Sequence, residues 1–266
     1  MYVIIIGGLN QGEVYRLKFK VDKNTELDLN KCPHVLVGGC TGSGKSYLMK
    51  SMLSDILLDS EDARVFVVDP KCVDYQFITN RKEFLWDGLD EDGNRMVKRM
   101  WLRKGVTLLT RDQIESGFLE RLLEWMVDIM NARYRDMMAR GIVLWDGYPI
   151  ILVLDELADV IYYDRDKIRD TERKGSRGLI ERLLVKIATL GRAAKVHLIL
   201  GTQRPDATIL SGQLRANIPT RICLKVNNDT ERRIILGIGN KDLNSNRGER
   251  VLYYDGEYKK LVRELK

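Results

Sequence analysis

The sequence predicts an α/β fold: a mostly parallel central sheet flanked by helices. Three observations point there. Short apolar runs such as Val65-Phe66-Val67-Val68 and Ile151-Leu152-Val153-Leu154 are continuous rather than alternating, the pattern of strands buried on both faces. Longer stretches with helical spacing of apolar residues lie between them. One apolar run leads straight into a glycine-rich segment, Gly39 to Ser46, followed by a helix-permitting run.

In order along the chain, the first 30 residues read as a small β-hairpin that adds edge strands. The opening Met1-Tyr2-Val3-Ile4-Ile5-Ile6 is too short for a signal peptide and lacks its basic region. Val35-Leu36-Val37 is the strand before the glycine-rich segment, and Ser46 to Leu58 the helix after it. Val65–Val68 is a strand ending at Asp69-Pro70. Residues 86–99, containing Asp87-Gly88-Leu89-Asp90, read as an exposed loop or insertion. Val106–Leu109 is a further strand. Residues 112–139 place Ile114, Phe118, Leu122, Met126, Ile129 and Met130 at helical spacing and predict one long helix. Ile150–Leu154 is a strand ending at Asp155-Glu156. Residues 162–178 mix charges densely and read as irregular. Leu179 to Leu190 is a helix, Val196–Leu200 a strand ending at Gly201-Thr202-Gln203, and Arg221–Leu224 another strand. The division expected is a hairpin region, 1–32, packed on an α/β domain, 33–266.

Composition excludes several classes. The chain has 266 residues, 44% hydrophobic and 31% charged, as an ordinary globular protein does. No apolar run reaches the roughly 18 residues of a membrane span. Four cysteines without C-x-x-C spacing and two histidines argue against a zinc site and suit a reducing cytoplasm. Forty-four basic against 38 acidic residues give a net charge of +6, a mild tilt towards a polyanionic partner.

Gly39-Cys40-Thr41-Gly42-Ser43-Gly44-Lys45-Ser46 matches G-x-x-x-x-G-K-[ST] at every fixed position. Its glycines let the backbone curl its N–H groups inward around phosphate oxygens. The helix that starts there adds its positive end. Lys45 is placed to reach the terminal phosphates of ATP, and Ser46 to ligate Mg²⁺. Asp155 and Glu156 end an apolar strand at the edge where open α/β sheets bind ligands. Asp155 is assigned to the Mg²⁺, and Glu156 to polarising the attacking water as general base. Gln203 ends the next strand, where a polar residue can contact the γ-phosphate or its water.

At this point the sequence resembles the FtsK/SpoIIIE-type DNA translocases, within the FtsK–HerA group of P-loop ATPases. The resemblance rests on Pro33-His34-Val35-Leu36-Val37-Gly38-Gly39, Asp69-Pro70-Lys71, Asn131-Ala132-Arg133-Tyr134 and Asp155-Glu156-Leu157-Ala158-Asp159. It rests most of all on Gly191-Arg192-Ala193-Ala194, Thr202-Gln203-Arg204-Pro205 and Ala216-Asn217-Ile218-Pro219-Thr220-Arg221. It implies a RecA-like motor fold, a homo-hexameric ring and double-stranded DNA threaded through it. It also implies an arginine supplied to the neighbour's ATP, assigned to Arg192 ahead of Arg182 and Arg221. DNA contacts are expected from Arg165, Lys167, Arg169, Arg173, Lys174 and Arg177, diluted by Asp164, Asp166, Asp170 and Glu172. The segment Gly141–Gly147 matches a second pore loop of the family but carries no basic residue.

Larger members carry an N-terminal membrane region, and some a C-terminal winged helix. This chain opens at the motor and stops at Lys266, so it is expected to be cytoplasmic, with any membrane recruitment left to another protein. Two other functions fit the motifs: a protein-export motor of the type VII secretion kind, and an ATP-dependent DNA-binding replication or recombination accessory.

Overall fold

The computed structural model describes residues 15–60, 62–71, 74–75, 84–89, 95–100, 106–169, 178–237 and 250–261; for 84–89, 95–100 and 167–169 only the backbone is described. Among these residues, twelve strands and seven helices follow in the order β1 (Lys18–Asp22), β2 (Thr25–Asp28), β3 (His34–Gly38), α1 (Lys45–Asp59), β4 (Arg64–Val68), β5 (Phe84–Leu89), β6 (Arg95–Met100), β7 (Val106–Leu109), α2 (Arg111–Glu115), α3 (Phe118–Arg140), β8 (Ile150–Leu154), α4 (Leu157–Arg169), α5 (Leu179–Leu190), β9 (Val196–Thr202), α6 (Gly212–Ala216), β10 (Thr220–Cys223), α7 (Asp229–Leu236), β11 (Arg250–Tyr254) and β12 (Glu257–Leu261).

Eight strands form the main sheet, in the order β12-β11-β10-β3-β9-β8-β4-β7. The six from β10 to β7 are mutually parallel, while β11 and β12 run antiparallel at one edge. Every residue of β3, β8 and β9 is buried, which is why these segments read as unbroken apolar runs. Their side chains alternate between two cores. Leu36, Leu152 and Leu198 join α3, α5 and the other helices on one face. Val35, Ile151 and Ile199 join α1 and the β1–β2 hairpin on the other.

The N-terminal hairpin is a separate two-stranded sheet, so it adds no edge strand to the main one. Leu17, Phe19 and Val21 pack into the α1 core, and the Lys20 amide donates to the Asp55 carboxylate on α1 at 2.8 Å. Three further expectations change. Within 86–99, read as a loop, β5 and β6 pair antiparallel. The long helix predicted over 112–139 is broken into α2 and α3 at Gly117, whose φ of 76° lies in the left-handed region that suits glycine. The charged stretch from 162 is helical as far as Arg169. Its spacing was obscured because Asp164, a buried residue, points inward and accepts the Glu181 amide at 3.1 Å, capping α5. A Cβ on Gly178 would lie 1.8 Å from that carboxylate, so the cap needs a glycine there.

Candidate nucleotide site

The loop between β3 and α1 hangs between two neighbouring strand ends. The Gly39 amide donates to the Thr202 carbonyl at 3.1 Å, and the Cys40 amide to the Lys225 carbonyl at 2.8 Å. Gly42 and Gly44 have φ of 77° and 89°, values side chains resist. Gly39 is needed for space instead: a Cβ there would lie 2.6 Å from Ser43 Oγ and 2.8 Å from Leu224 Cβ. The turn aims backbone N–H groups and the α1 N-terminus at one spot, which is a seat for phosphate.

Lys45 and Asp155 meet beneath it. The ammonium donates to the Asp155 carbonyl at 2.6 Å and to its Oδ1 at 2.9 Å, and both side chains are buried. The Ser46 hydroxyl lies 3.4 Å from the same Oδ1. The Tyr75 hydroxyl lies 3.5 Å from it, and burial raises that phenol's pKa well above its usual value. A hydroxyl and a carboxylate oxygen side by side are the hard donors Mg²⁺ takes, alongside phosphate and water.

Glu156 turns the other way. Its carboxylate accepts the Thr202 hydroxyl at 3.0 Å and the Gln203 amide at 3.0 and 3.1 Å. The Ala158 amide adds a bond at 3.3 Å. Burial raises the carboxyl's pKa, while Lys45 and these donors pull it back down. Gln203 in turn accepts the Thr41 hydroxyl at 2.8 Å through Oε1, which ties the end of β9 to the phosphate loop. Glu156 and Gln203 line a cavity of about 330 Å³ with Cys40, Thr41, Lys71 and Asp159. Lys71 and Asn227, also on its wall, are residues the motifs did not assign. Lys71 follows Asp69, a fully buried carboxylate that accepts the amides of Lys71, Asp74 and Tyr75 and so fixes that wall.

Arg192 lies elsewhere. It is exposed in the turn between α5 and β9, at the sheet edge opposite the phosphate loop, about 20 Å away along the seven residues of β9. It cannot reach its own chain's site. The turn is held by Arg133, which is buried on α3 and donates to the Ala194 carbonyl at 2.6 Å and the Tyr148 carbonyl at 3.0 Å. Its guanidinium also lies over the Trp145 and Tyr148 rings, and burial lowers its pKa to about 10. Arg221 is spent on structure: it donates to the Ile218, Leu236 and Arg215 carbonyls and lies over Tyr253. Arg182 is exposed on α5.

The basic residues expected to meet DNA divide. Arg165 is no free cation in a loop: it belongs to α4, donates to the Thr208 carbonyl and lies 3.5 Å from Glu181. Lys167 and Arg169 are on the same helix, whereas Arg173, Lys174 and Arg177 fall outside the described residues. In the segment Gly141–Gly147, Val143 and Leu144 are exposed and Trp145 is buried.

Fold and loop together define a P-loop ATPase. Residues 13–139 match the family described as the helicase HerA central domain. The DNA translocase FtsK of Clostridium tetani is 28% identical over 235 residues, covering 87% of this chain and 28% of that protein. The DNA translocase SpoIIIE of Bacillus subtilis is 29% identical over 225 residues, covering 84% and 26%. Among solved structures, the pCW3 conjugation coupling protein TcpA in its monomer form with ATPγS superposes with a TM-score of 0.65 at 26% identity, over 89% of this chain and 61% of that one. Residues 13–139 thus resemble a HerA-type domain, and the chain spans just over a quarter of the length of the two translocases. Among the described residues no helix is long and apolar enough to cross a membrane.

Proposed function

We propose that residues 33–266 form an ATP-driven motor that moves double-stranded DNA, with the 1–32 hairpin packed on it, and that it works as a homo-hexameric ring. The observation that carries this is the placement of Glu156. A second carboxylate, beside the one facing Lys45, sits in the cavity next to the phosphate loop, held by Thr202 and Gln203. Such a group activates water, the nucleophile of a hydrolysing motor. DNA as cargo is supported by the relatives, the two described above being DNA translocases.

In this reading the loop amides and Lys45 hold the β- and γ-phosphates. Ser46 and Asp155 would hold Mg²⁺, which when bound would neutralise charge on the phosphates. Glu156 accepts the proton of the attacking water, and Gln203 orients that water and reports its loss through Thr41. Arg192 completes the neighbouring subunit's site, because a guanidinium offsets charge developing on the transferred phosphoryl group. DNA contacts fall to Lys167 and Arg169 on α4 and to Arg173, Lys174 and Arg177 beyond it. They grip phosphate rather than read bases.

The test is ATP hydrolysis by purified protein with Mg²⁺, with and without linear duplex DNA, paired with displacement of a triplex-forming strand. Stimulation together with displacement is expected, weakening steeply as salt rises. Absence of stimulation by duplex DNA overturns the reading. Stimulation without displacement points instead to an accessory that uses ATP to assemble on DNA.

A further inference from the structure

The nucleotide site has two ends. Lys45 and Ser46 reach Asp155 at the end of β8, and Glu156 is held by residues at the end of β9. Both strands lie on one side of β3. A triphosphate whose terminal phosphate sits there runs its ribose and base the other way, across the start of α1 towards β10 and β11.

Arg250 lies on that side. It is the first residue of β11, whose antiparallel pairing with β10 brings its start to the same sheet edge as the phosphate loop. Its Nη2 is 3.0 Å from the point a Cβ on Gly44 would occupy. The side chain is half-buried and makes no hydrogen bond or ion pair among the described residues. The N-terminus of α1 carries the positive end of the helix dipole, and the ammonium of Lys45 begins that same helix. A guanidinium held there adds to the positive end of the helix in facing an anionic ligand that enters. One turn further along α1, Tyr47 presents a ring that is 64% exposed, on the same helix face as Gly44.

We infer that Arg250 is a nucleotide-binding residue that holds the nucleoside end of ATP, at the α-phosphate and ribose, with the Tyr47 ring beside it. This rests on the reading of Gly39–Ser46 as the ATP site. The planar fork of Arg250 bridges the ligand to the loop and links β11 to nucleotide occupancy.

The test compares two ligands with Mg²⁺ by calorimetry: ATPγS, and inorganic pyrophosphate, which fills only the two terminal phosphate seats. Arg250→Gln should bind ATPγS about tenfold more weakly than the unaltered chain and pyrophosphate equally well. Arg250→Lys, which keeps the charge without the fork, should fall between them. A ligand-free thermal melt matching the unaltered chain shows that the variant is folded; should Arg250→Gln not fold, Arg250→Lys carries the comparison. Equal affinity of variant and parent for ATPγS overturns the inference, and so does an equal loss for both ligands. Failure of the unaltered chain to bind ATPγS overturns the reading of the loop itself, and this inference with it.

Discussion

The Lys45 ammonium lies 2.9 Å from Asp155 Oδ1, with both side chains almost fully buried. This pair is a structural element of the fold. Removing one partner of a buried pair leaves an uncompensated charge and costs about 3 kcal/mol or more. Lys45→Ala should therefore lower nucleotide-free stability as well as abolish hydrolysis, and the double variant Lys45→Ala with Asp155→Ala should recover part of the loss. Urea denaturation of the four proteins gives the coupling; a Lys45→Ala midpoint equal to the parent's would refute it.

Thr202 donates to Glu156 at 3.0 Å, one of the bonds that hold the carboxyl's pKa down against burial. Thr202→Val keeps the shape and removes the donor. The Glu156 pKa should rise further, so the acid limb of the kcat–pH profile should move to higher pH, while the affinity for ATP stays unchanged. An unmoved acid limb with reduced kcat would show that Glu156 is not the titrating base.

His34 and His197 are buried beside each other, and burial lowers their pKa values to about 3 and about 4. Both are neutral in the folded chain at neutral pH, and the unfolded chain takes up protons below about 6.5. The unfolded state therefore binds more protons as pH falls. Stability is fully present above about 6.5 and is lost from there down towards 3 to 4, by up to about 1.4 kcal/mol per pH unit for each histidine. His197→Gln should flatten the stability profile between pH 7 and 5. A profile parallel to the parent's would exclude this source.

Arg192 is exposed and about 20 Å from its own chain's phosphate loop, along β9. Arg192→Ala should bind ATP normally and lose hydrolysis by about 10³-fold or more. Mixing it with Lys45→Ala subunits should restore some activity, because some interfaces then pair an intact loop with an intact arginine. Two inactive variants that stay inactive when mixed would assign the role to another residue.

The sheet was legible because β3, β8 and β9 are buried on both faces, which leaves apolar runs in the sequence. The phosphate loop and Asp155-Glu156 were legible because their chemistry allows few substitutes. What stayed hidden depends on contacts distant in sequence. Asp164 looks like one surface acid among many until α5 is placed against it. Arg221, ranked behind Arg192, still looks available until three carbonyls are seen to occupy it. The hairpin was readable as a hairpin, but its docking on α1 rather than at the sheet edge follows from Phe19 and Asp55, which no local pattern links. Arg250 sits outside every motif, and only the antiparallel turn of β11 brings it back to the loop.

Strand β9 has every residue buried and is gripped on both sides by parallel neighbours. One end carries Thr202 and Gln203, and the other emerges from the turn that bears Arg192. A strand so enclosed has no slack to absorb displacement along its length, because its neighbours fix its register. On the proposed assignment of Arg192 to a neighbouring subunit's site, β9 is the rigid link between the two sites.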